Sequence, residues 1–330
     1  MLTTATQALT GPDVAYLVPE IILVGAAIVL TLLDLLLPGT VRRGWISWLT
    51  FVALAGSAVA VIGQFAVFDP FGGDAEVVSL LSDSYRIDGF ALVMKLVILT
   101  ASMLILLMGI RTIERDDAIP DKGETFTMML PAVTGALILC STADLITMFV
   151  GLELLGISTY VLIGFRKKSG LASEAAFKYV VIGAVSSAII LFGMSYLYGV
   201  TGSTNLGWIA WSLEQAAADY QALVYVALFF IVAGFAVKIA AAPFHAWAPD
   251  VYQGAATPVT AFLAVVSKAA AFIALVRVIF NTAVIQTPFI LGPGVSPVGE
   301  DVLLALKVLA AAAMIVGTTA ALRQKNVKRL

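Results

Sequence analysis

Long apolar stretches alternate along this chain with short segments that hold most of the charged residues. A helix of about 20 residues crosses about 30 Å of hydrocarbon, and with a window of that length the pattern predicts nine membrane-spanning helices. Helices are expected because open strands would leave backbone groups without hydrogen bonds in lipid. The predicted spans are 17–37, 45–68, 89–110, 125–142, 145–165, 173–199, 222–242 with a short continuation to 253, 257–280 and 302–322.

The composition indicates the same class of protein. Hydrophobic residues make up 61% of the 330 residues and charged residues 12%, which excludes an ordinary soluble domain and a disordered chain. The first apolar segment lacks a basic leader and a small-residue cleavage site, so we expect a retained span and not a signal peptide. A single cysteine, Cys140, excludes an internal disulfide and a cysteine metal cluster, and no metal site is expected. The net charge of −2 gives no reason to expect a nucleic-acid partner.

Basic residues between the spans predict the orientation of the chain, because cytoplasmic loops carry an excess of Lys and Arg. The loops on one predicted side hold Arg42, Arg43, Arg111, Arg115, Lys122, Arg166, Lys167, Lys168, Arg323, Lys325, Lys328 and Arg329. The loops on the opposite side hold Arg86 alone. The N-terminus is therefore expected outside and residue 330 in the cytoplasm.

The remaining basic residues fall inside the predicted spans. They are Lys95, Lys178, Lys238, Lys268, Arg277 and Lys307. A charge at the centre of a spanning helix costs about 2.5 to 3.5 kcal/mol on insertion scales, so each is a candidate functional residue. Arg277 and Lys307 lie near the ends of their spans, where a long side chain is expected to reach the head groups. Lys95 follows Asp88 by seven residues and fits a structural or a functional role.

Three of these lysines carry the functional interpretation. Lys238 lies deep in its span, and Lys268 lies in the middle of the span 257–280, so neither is expected to reach the head groups. Lys178 is one to two turns from the predicted cytoplasmic end, where it is a candidate entry point for protons. Glu174 precedes it by four residues and offers an end-of-helix pair instead. A static buried ion pair is the alternative for Lys238 and Lys268.

One carboxylate lies at a depth similar to that of the two deep lysines. Glu153 is near the centre of its predicted span, between Gly151 and Gly156, which allow a neighbouring helix to approach closely. Burial raises the pKa of a carboxylate and lowers that of an amine, so the two values approach each other. Pairing of the two charges has the opposite effect on both values. A Glu153–Lys238 pair that tightens and loosens would therefore switch the proton affinity of the lysine. Their contact is a hypothesis, because Lys268 is similarly placed.

The stretch VKIAAAPFHAWAPD, residues 237–250, interrupts an apolar helix with two prolines. Pro243 removes a backbone donor, so the helix that carries Lys238 is expected to break there, and Pro249 is expected to oppose a clean restart. Irregular backbone at membrane depth is tolerated where it is buried in protein or lines a water-filled cavity. His245, the one histidine, follows the break and fits either a proton relay or a structural hydrogen bond.

Four segments of the chain resemble a known family. They are FVGLELLGISTYVLIGF, SEAAFKYVVIGAVSSAIILFGMSYLYG, PFHAWAPDVYQGAATPVTAFLAVVSKAAAF and ALRQKNVKRL. These segments resemble subunit N of the bacterial NADH–quinone oxidoreductase, respiratory complex I. The ATPVTAFLAVVSKAA form is closer to the N subunits than to the L and M subunits or the sodium–proton antiporter subunits, which share a looser PFH-x-W-x-P pattern. The resemblance covers essentially the whole chain.

The resemblance implies an antiporter-like all-α fold in which two inverted five-helix repeats each contain a broken helix. Residues 1–122 would form an N-terminal three-helix segment, residues 123–282 a complete first repeat, and residues 283–330 the start of the second. The family continues with about five more helices, so this chain is expected to be a fragment or to be completed elsewhere. The exit half of a proton path is not expected within it.

The resemblance also implies a function in proton translocation. Glu153 resembles the carboxylate of the family's fifth helix, and Lys178, Lys238 and Lys268 resemble the lysines of the sixth, seventh and eighth. Electron transfer from NADH to quinone would take place in partner subunits, which would hold the NADH, FMN, iron–sulfur and quinone sites, and no cofactor is expected in this chain. The partners would be other membrane subunits and the lipid bilayer, in a bacterial inner membrane.

Two other functions fit the same residues. One is a stand-alone cation–proton antiporter, and the other is a structural membrane subunit whose charges hold helices together. Transport of Na⁺ would favour carboxylates and backbone oxygens as ligands. The deep charged residues here are mostly lysines, which favours protons as the transported ion.

Overall fold

A computed structural model describes residues 11–37, 43–68, 77–282 and 297–329 of the chain. The expectations for Arg42 and Leu330 lie outside these residues, and so does the first part of the predicted second repeat, residues 283–296. Within the described ranges, nine helices are long and apolar enough to cross a membrane, which confirms the prediction of an all-α polytopic membrane protein.

The helices follow the predicted spans closely. They are α1 (Gly11–Tyr16), α2 (Val18–Leu36), α3 (Gly44–Phe68), α4 (Gly89–Arg115), α5 (Lys122–Thr127), α6 (Met129–Ser141), α7 (Leu145–Gly164), α8 (Gly170–Thr201), α9 (Leu206–Lys238), α10 (Ala248–Gly254), α11 (Thr257–Phe262), α12 (Lys268–Asn281) and α13 (Pro297–Arg323). Two spans are composite, because α5 continues into α6 and α11 continues into α12.

A small hairpin precedes α4, in a segment that the sequence predicts as a loop. Its strands β1 (Val78–Leu80) and β2 (Tyr85–Ile87) are antiparallel, and Val78 is paired with Ile87. Strands of three residues are too short to show the alternation of apolar and polar positions that identifies a strand in a sequence. The hairpin is therefore a tertiary feature that the hydrophobic pattern does not reveal.

Asp83, in the turn of the hairpin, ties the hairpin to the start of α9. Its carboxylate accepts hydrogen bonds from Ser79 at 2.6 Å, from Arg86 at 2.7 Å and from the side-chain amide of Asn205 at 3.0 Å. Burial opposes ionisation of Asp83, but these donors outweigh burial and hold the pKa of Asp83 below its ordinary value. The turn and the start of α9 are thus joined by a charged contact.

Helix α9 begins earlier than the sequence predicts. The predicted span starts at residue 222, whereas the helix starts at Leu206 and contains a non-helical residue, Tyr220, with φ −121° and ψ 23°. Asn205 supplies the N-cap, since its side-chain oxygen accepts a hydrogen bond from the backbone N–H of Trp208 at 3.1 Å. A window tuned to apolar spans misses this first part of α9 because its composition is mixed.

Helix α6 lies at the centre of the bundle and α13 at its edge. In the composite span of α5 and α6, 78% of the residues of the most apolar stretch are buried. In α13, only 6% of the residues of the corresponding stretch are buried. Helices α8 and α9 pack so closely that a side chain at Gly193 would lie 2.7 Å from the backbone oxygen of Ala227. This close contact brings residues of α8 directly against the end of α9.

Two basic residues of the spans form buried ion pairs near the hairpin. The expectation that Arg277 reaches the head groups is wrong, because its side chain is buried. It donates two hydrogen bonds to the carboxylate of Asp88, at 2.5 and 2.7 Å, and two to the carbonyl oxygen of Cys140, at 2.7 and 3.1 Å. Asp88 caps α4 beside the end of α12, so the fold itself supplies Arg277 with a bidentate carboxylate partner.

Lys95 is paired with a different carboxylate from the one that precedes it in the sequence. Its ammonium lies 2.8 Å from Glu20 of α2 and donates a hydrogen bond to the hydroxyl of Tyr85 at 2.7 Å. The Tyr85 hydroxyl in turn donates to Glu20 at 2.6 Å. We call these five residues, Glu20, Tyr85, Asp88, Lys95 and Arg277, the hairpin-side cluster.

Candidate functional site

Glu153 of α7 and Lys238, the last residue of α9, face each other across a serine of α8. The Lys238 ammonium lies 3.8 Å from the Glu153 carboxylate. It donates a hydrogen bond to the Ser187 hydroxyl at 3.0 Å, and that hydroxyl donates to the same Glu153 oxygen in a short contact. The contact that the sequence offers as a hypothesis is therefore present, with Ser187 as a bridge. We call these three residues the bridged pair.

The two glycines beside Glu153 admit two different neighbours. A side chain at Gly156 would lie 3.7 Å from the Lys238 ammonium, and one at Gly151 would lie 3.0 Å from the side chain of Leu139 in α6. The close approach predicted from these glycines is confirmed. Gly156 leaves room for the lysine, while Gly151 seats α7 against the central helix.

The helix that carries Lys238 breaks at the predicted place. Helix α9 ends there, Ala240 takes a left-handed φ of 56°, and α10 begins on the far side of Pro243. The indole N–H of Trp247 donates to the backbone oxygen of Val237 at 3.1 Å, so a carbonyl in the last turn of α9 gains a partner.

Pro249 does not oppose the restart of the helix as the sequence predicts. It lies in the first turn of α10, where the backbone N–H that proline lacks would have no helical partner in any case. Proline is therefore compatible with this position, and the break is defined by the residues around Pro243.

Lys268 follows a π-helical turn, Leu263–Ser267, in the middle of the span formed by α11 and α12. Single π turns occur frequently at functional sites, and the sequence pattern does not reveal this one. The ammonium of Lys268 lies 5.4 Å from the centre of the Tyr252 ring, a cation–π contact. In the described part of the chain, no ion pair with a carboxylate accompanies that contact.

His245 and Lys268 line the same cavity, next to the break. The cavity has a volume of about 250 Å³, and Tyr252, Gln324 and Arg329 also line it. The Nδ1 atom of His245 and the Tyr252 hydroxyl are buried, and no hydrogen-bond partner for them is found among the described residues. The cavity has a mostly apolar wall with these polar side chains in it, and it is large enough to hold several water molecules. The cavity therefore joins two of the predicted site residues.

Lys178 lies apart from the bridged pair. It shares α8 with Ser187, nine residues away, a separation of about 13 Å along the helix axis. Its ammonium lies 2.7 Å from Glu174 and 2.8 Å from Asp250 of α10, beside a cavity of about 230 Å³. The end-of-helix pair with Glu174 is thus present, and a carboxylate from the second half of the broken helix joins it.

A column of aromatic rings runs from α7 towards Lys268. The ring of Tyr160 lies 4.9 Å from that of Tyr179, Tyr179 lies 5.1 Å from Trp247, and Trp247 lies 6.4 Å from Tyr252, measured between ring centres. The rings come from α7, α8 and the segment around α10, so the sequence pattern of a single segment gives no sign of the column.

Two polar residues of the site were not predicted. Ser187 belongs to a Ser-Ser pair in an otherwise apolar span, and Asp250 is the one carboxylate between Lys238 and Lys268. Both features are visible in the sequence, but their partners lie on other helices. The azimuth of each helix, which a sequence does not give, decides that they contact a lysine.

Known proteins similar to this chain include one family and several relatives. Residues 142–330 match the family described as NADH:quinone oxidoreductase/Mrp antiporter, TM. The NADH-quinone oxidoreductase subunit N of Paenibacillus sp. (strain JDR-2) is 50% identical over 329 residues, which are 98% of this chain and 62% of the relative. The resemblance to the N subunits is confirmed, and the chain spans 62% of the length of that relative.

Solved structures give the same result for the fold. A chain of respiratory complex I from Thermus thermophilus, solved with bound aureothin, is 31% identical with a TM-score of 0.72, over 94% of this chain and 60% of that one. A chain of an archaeal membrane-bound sulfane sulfur reductase is 26% identical with a TM-score of 0.74, over 96% of this chain and 61% of that one. The chain belongs to the NADH:quinone oxidoreductase/Mrp antiporter family of membrane proteins and has the antiporter-like fold.

Proposed function

We propose that this chain contributes a proton path to subunit N of a proton-pumping NADH–quinone oxidoreductase. The observation that carries the proposal is the bridged pair, in which Lys238 stands at the end of a broken helix and reaches Glu153 through Ser187. Similarity to subunit N of Paenibacillus supports the same assignment. Electron transfer from NADH to quinone would take place in partner subunits and drive proton movement here.

The length of the bridged pair fits a site that changes its proton affinity. The separation of 3.8 Å between ammonium and carboxylate is longer than the 2.7 to 2.9 Å of a direct charge-assisted hydrogen bond. A tighter pair favours the protonated lysine, and a looser one favours release of the proton. A shift of α7, α8 or α9 by about 1 Å, typical of helices at switching interfaces, would alter the pair.

We assign the two cavities to the proton path, one as its entrance and the other as the receiver of protons. Lys178 lines the cavity beside Asp250, and we assign it to proton entry from the cytoplasm. His245 and Lys268 line the cavity beside the break, and we assign them to the step after Lys238. Lys268 is held by the face of Tyr252 in place of a carboxylate, so losing its proton leaves no unpaired anion beside it.

The orientation, organisation and partners of the chain are part of the same proposal. The N-terminus would lie outside and residue 330 in the cytoplasm. The proximity of Arg166, Asp250 and Arg329 at one end of the bundle supports placing their segments on the same side of the membrane. Residues 1–122, 123–282 and 283–330 would be the three-helix segment, the first repeat and the start of the second. The chain would lie in a bacterial inner membrane with other membrane subunits, and NADH, FMN, iron–sulfur clusters and quinone would be bound by partners.

Inside-out membrane vesicles that contain the assembled complex test this function. We expect Lys238→Met to lower NADH-driven proton uptake per assembled complex at least about tenfold, since a positioned proton carrier contributes about 100-fold or more. Normal proton uptake in that variant would favour the structural alternative. Uptake of radioactive Na⁺ that exchanges for protons without NADH would favour the stand-alone antiporter. Either result would overturn the proposal.

A further inference from the structure

The residues that follow α13 fold back onto the second half of the broken helix. The Lys328 ammonium donates hydrogen bonds to the backbone oxygens of Gln253 and Ala255, at 3.1 and 2.5 Å, at the C-terminal end of α10. The Arg329 guanidinium donates to the side-chain oxygen of Gln253 at 2.6 Å. We call residues 324–329 the strap, because they connect the last described helix to α10.

The position of α10 depends on such contacts. A helix of seven residues has little stability of its own, and its last carbonyls lack helical partners. The Lys328 ammonium satisfies one of these carbonyls and lies at the negative end of the helix dipole. On its other side, α10 rests on α8, where a side chain at Gly254 would lie 2.5 Å from the backbone oxygen of Leu171. The strap and α8 therefore fix α10 from two sides.

Asp250 of α10 is shared between the strap and the lysine assigned to proton entry. One carboxylate oxygen lies 3.0 Å from the Arg329 guanidinium, and the other lies 2.8 Å from the Lys178 ammonium. The hydrogen bond from Lys178 and the charge of Arg329 hold the pKa of Asp250 below its ordinary value. Asp250 is therefore ionised at neutral pH and is bound by one cation from α8 and one from the strap, which are distant in the sequence.

We propose that Asp250 is a positioning residue for proton entry and that Lys328 and Arg329 hold it in place, so that α13 influences the protonation of Lys178. This inference rests on the proposed function of the site. The charged groups that face Lys178 are Glu174 on its own helix, Asp250 on α10 and, behind Asp250, Arg329 on the strap. A displacement of α13 would move Arg329 relative to Asp250. Because Arg329 partly neutralises Asp250, this movement would change how strongly the Asp250 carboxylate favours the protonated form of Lys178.

Two substitutions that remove opposite charges distinguish a role in proton entry from a purely structural role. Asp250→Asn removes a negative charge from beside Lys178, and Arg329→Gln removes a positive one. Both are measured in assembled complex in inside-out vesicles, as protons taken up per NADH oxidised over a range of about pH 6 to 9. We expect each to lower pumping about two- to fivefold at neutral pH, the effect of one partly exposed ion pair. The pH of half-maximal pumping should move in opposite directions in the two variants.

One control retains the charge of Asp250, and the other removes a charge that has no described contact with Asp250 or Lys178. Asp250→Glu keeps the carboxylate and should pump close to the wild type. Lys325→Gln removes a basic residue from the same strap, where its side chain is exposed, and should leave pumping unchanged. If Asp250→Asn lowers assembly, Arg329→Gln with its Lys325→Gln control carries the test alone.

The outcomes separate this inference from the proposed function. Wild-type pumping in both Asp250→Asn and Arg329→Gln would overturn the inference. A loss of pumping with no movement of the pH of half-maximal pumping would also overturn it, because Asp250 would then be only a structural contact. Lys238→Met is measured in the same preparation. If Lys238→Met pumps normally, the proposed function fails. If Lys238→Met fails to pump while Asp250→Asn and Arg329→Gln both pump normally, the proposed function stands and only the entry role of Asp250 is overturned.

Discussion

Two groups of charged residues lie inside this bundle, and they are built differently. In the hairpin-side cluster, each basic group contacts its carboxylate directly at 2.5 to 2.8 Å, and Lys95 is completely buried. In the bridged pair, the charges are 3.8 Å apart, a serine lies between them, and the Glu153 side chain is 27% exposed. The first group is joined to a hairpin and to helix ends, while the second stands where a helix breaks.

The difference separates ion pairs that hold a fold from a pair that can change. A buried charge with short bonds to a partner is costly to separate, so it stays in one arrangement. We propose that the bridged pair has a second arrangement, in which a small helix shift replaces the serine bridge with a direct contact. Under the proposed function, depth in the membrane is not sufficient to identify a proton carrier, and the length of the ion pair is a second criterion.

The largest expected effect is on stability, in the hairpin-side cluster. Lys95→Met leaves the buried carboxylate of Glu20 without a cation, and breaking such a pair costs about 3 to 5 kcal/mol. We expect a strong loss of assembled complex on native gels. The double variant Lys95→Met with Glu20→Gln should regain part of the complex, because no charge is then left unpaired. Normal assembly of Lys95→Met would show that the comparison between the two groups is mistaken.

Glu153→Gln should affect pumping and leave the amount of complex unchanged. Glutamine keeps the size and the hydrogen-bonding capacity of the side chain but removes the charge that acts on Lys238. We expect NADH-driven proton uptake per complex to fall about tenfold, the effect of about 1.4 kcal/mol on a rate. Glu153→Asp should retain part of the activity. Full pumping in assembled Glu153→Gln complex would mean that the pair has no part in proton transfer.

The serine bridge gives a smaller effect and a matched control. Ser187→Ala removes the hydroxyl that joins the two charges, and with it two hydrogen bonds. We expect pumping per complex to fall about two- to fivefold, which corresponds to about 0.4 to 1 kcal/mol on a rate. The neighbouring Ser186 donates to the backbone oxygen of Gly234 at 2.8 Å instead, so Ser186→Ala should lower stability and not pumping per complex. Equal effects of the two variants on pumping would remove the special role of Ser187.

The smallest effect is expected in the hairpin turn and depends on pH. Because the pKa of Asp83 is held below its ordinary value, its stabilising contribution is present above about pH 4 and is lost as the pH falls through the lowered value. Asp83→Asn should therefore speed cleavage of the hairpin by added proteases at pH 7, by less than about fivefold for a partly exposed pair. The difference from the wild type should become smaller as the pH is lowered below about 4, where pepsin serves as the protease. A difference that stays constant over that range contradicts the assignment.

The spans and the break could be predicted from the sequence because each depends on local chemistry. Twenty apolar residues are sufficient to define a span, and Pro243 is sufficient to end the helix that carries Lys238. The first part of α9, with its kink at Tyr220, the hairpin and the π turn before Lys268 were not predicted. These features depend on contacts between segments that are distant in the sequence. The local pattern of apolar and polar residues would be the same if the features were absent.

The site could be predicted only in part, for a similar reason. The depth of Glu153 and Lys238 follows from counting residues along their spans, and their contact was one of two open pairings. The roles of Ser187 and Asp250 depend on which face of its helix each residue occupies. Arg277 was misinterpreted because its position near the end of a span is compatible with head groups, and only the fold places Asp88 beside it.

A double-substitution cycle on the bridged pair tests the central claim most directly. Proton uptake per NADH is measured in assembled complexes with Glu153→Gln, with Lys238→Met and with both. If the two residues act as one unit in proton transfer, the double variant should pump no less than Lys238→Met alone, because the carboxylate has no further lysine to act on. Losses that multiply in the double variant would show that Glu153 and Lys238 act independently, and would contradict the account.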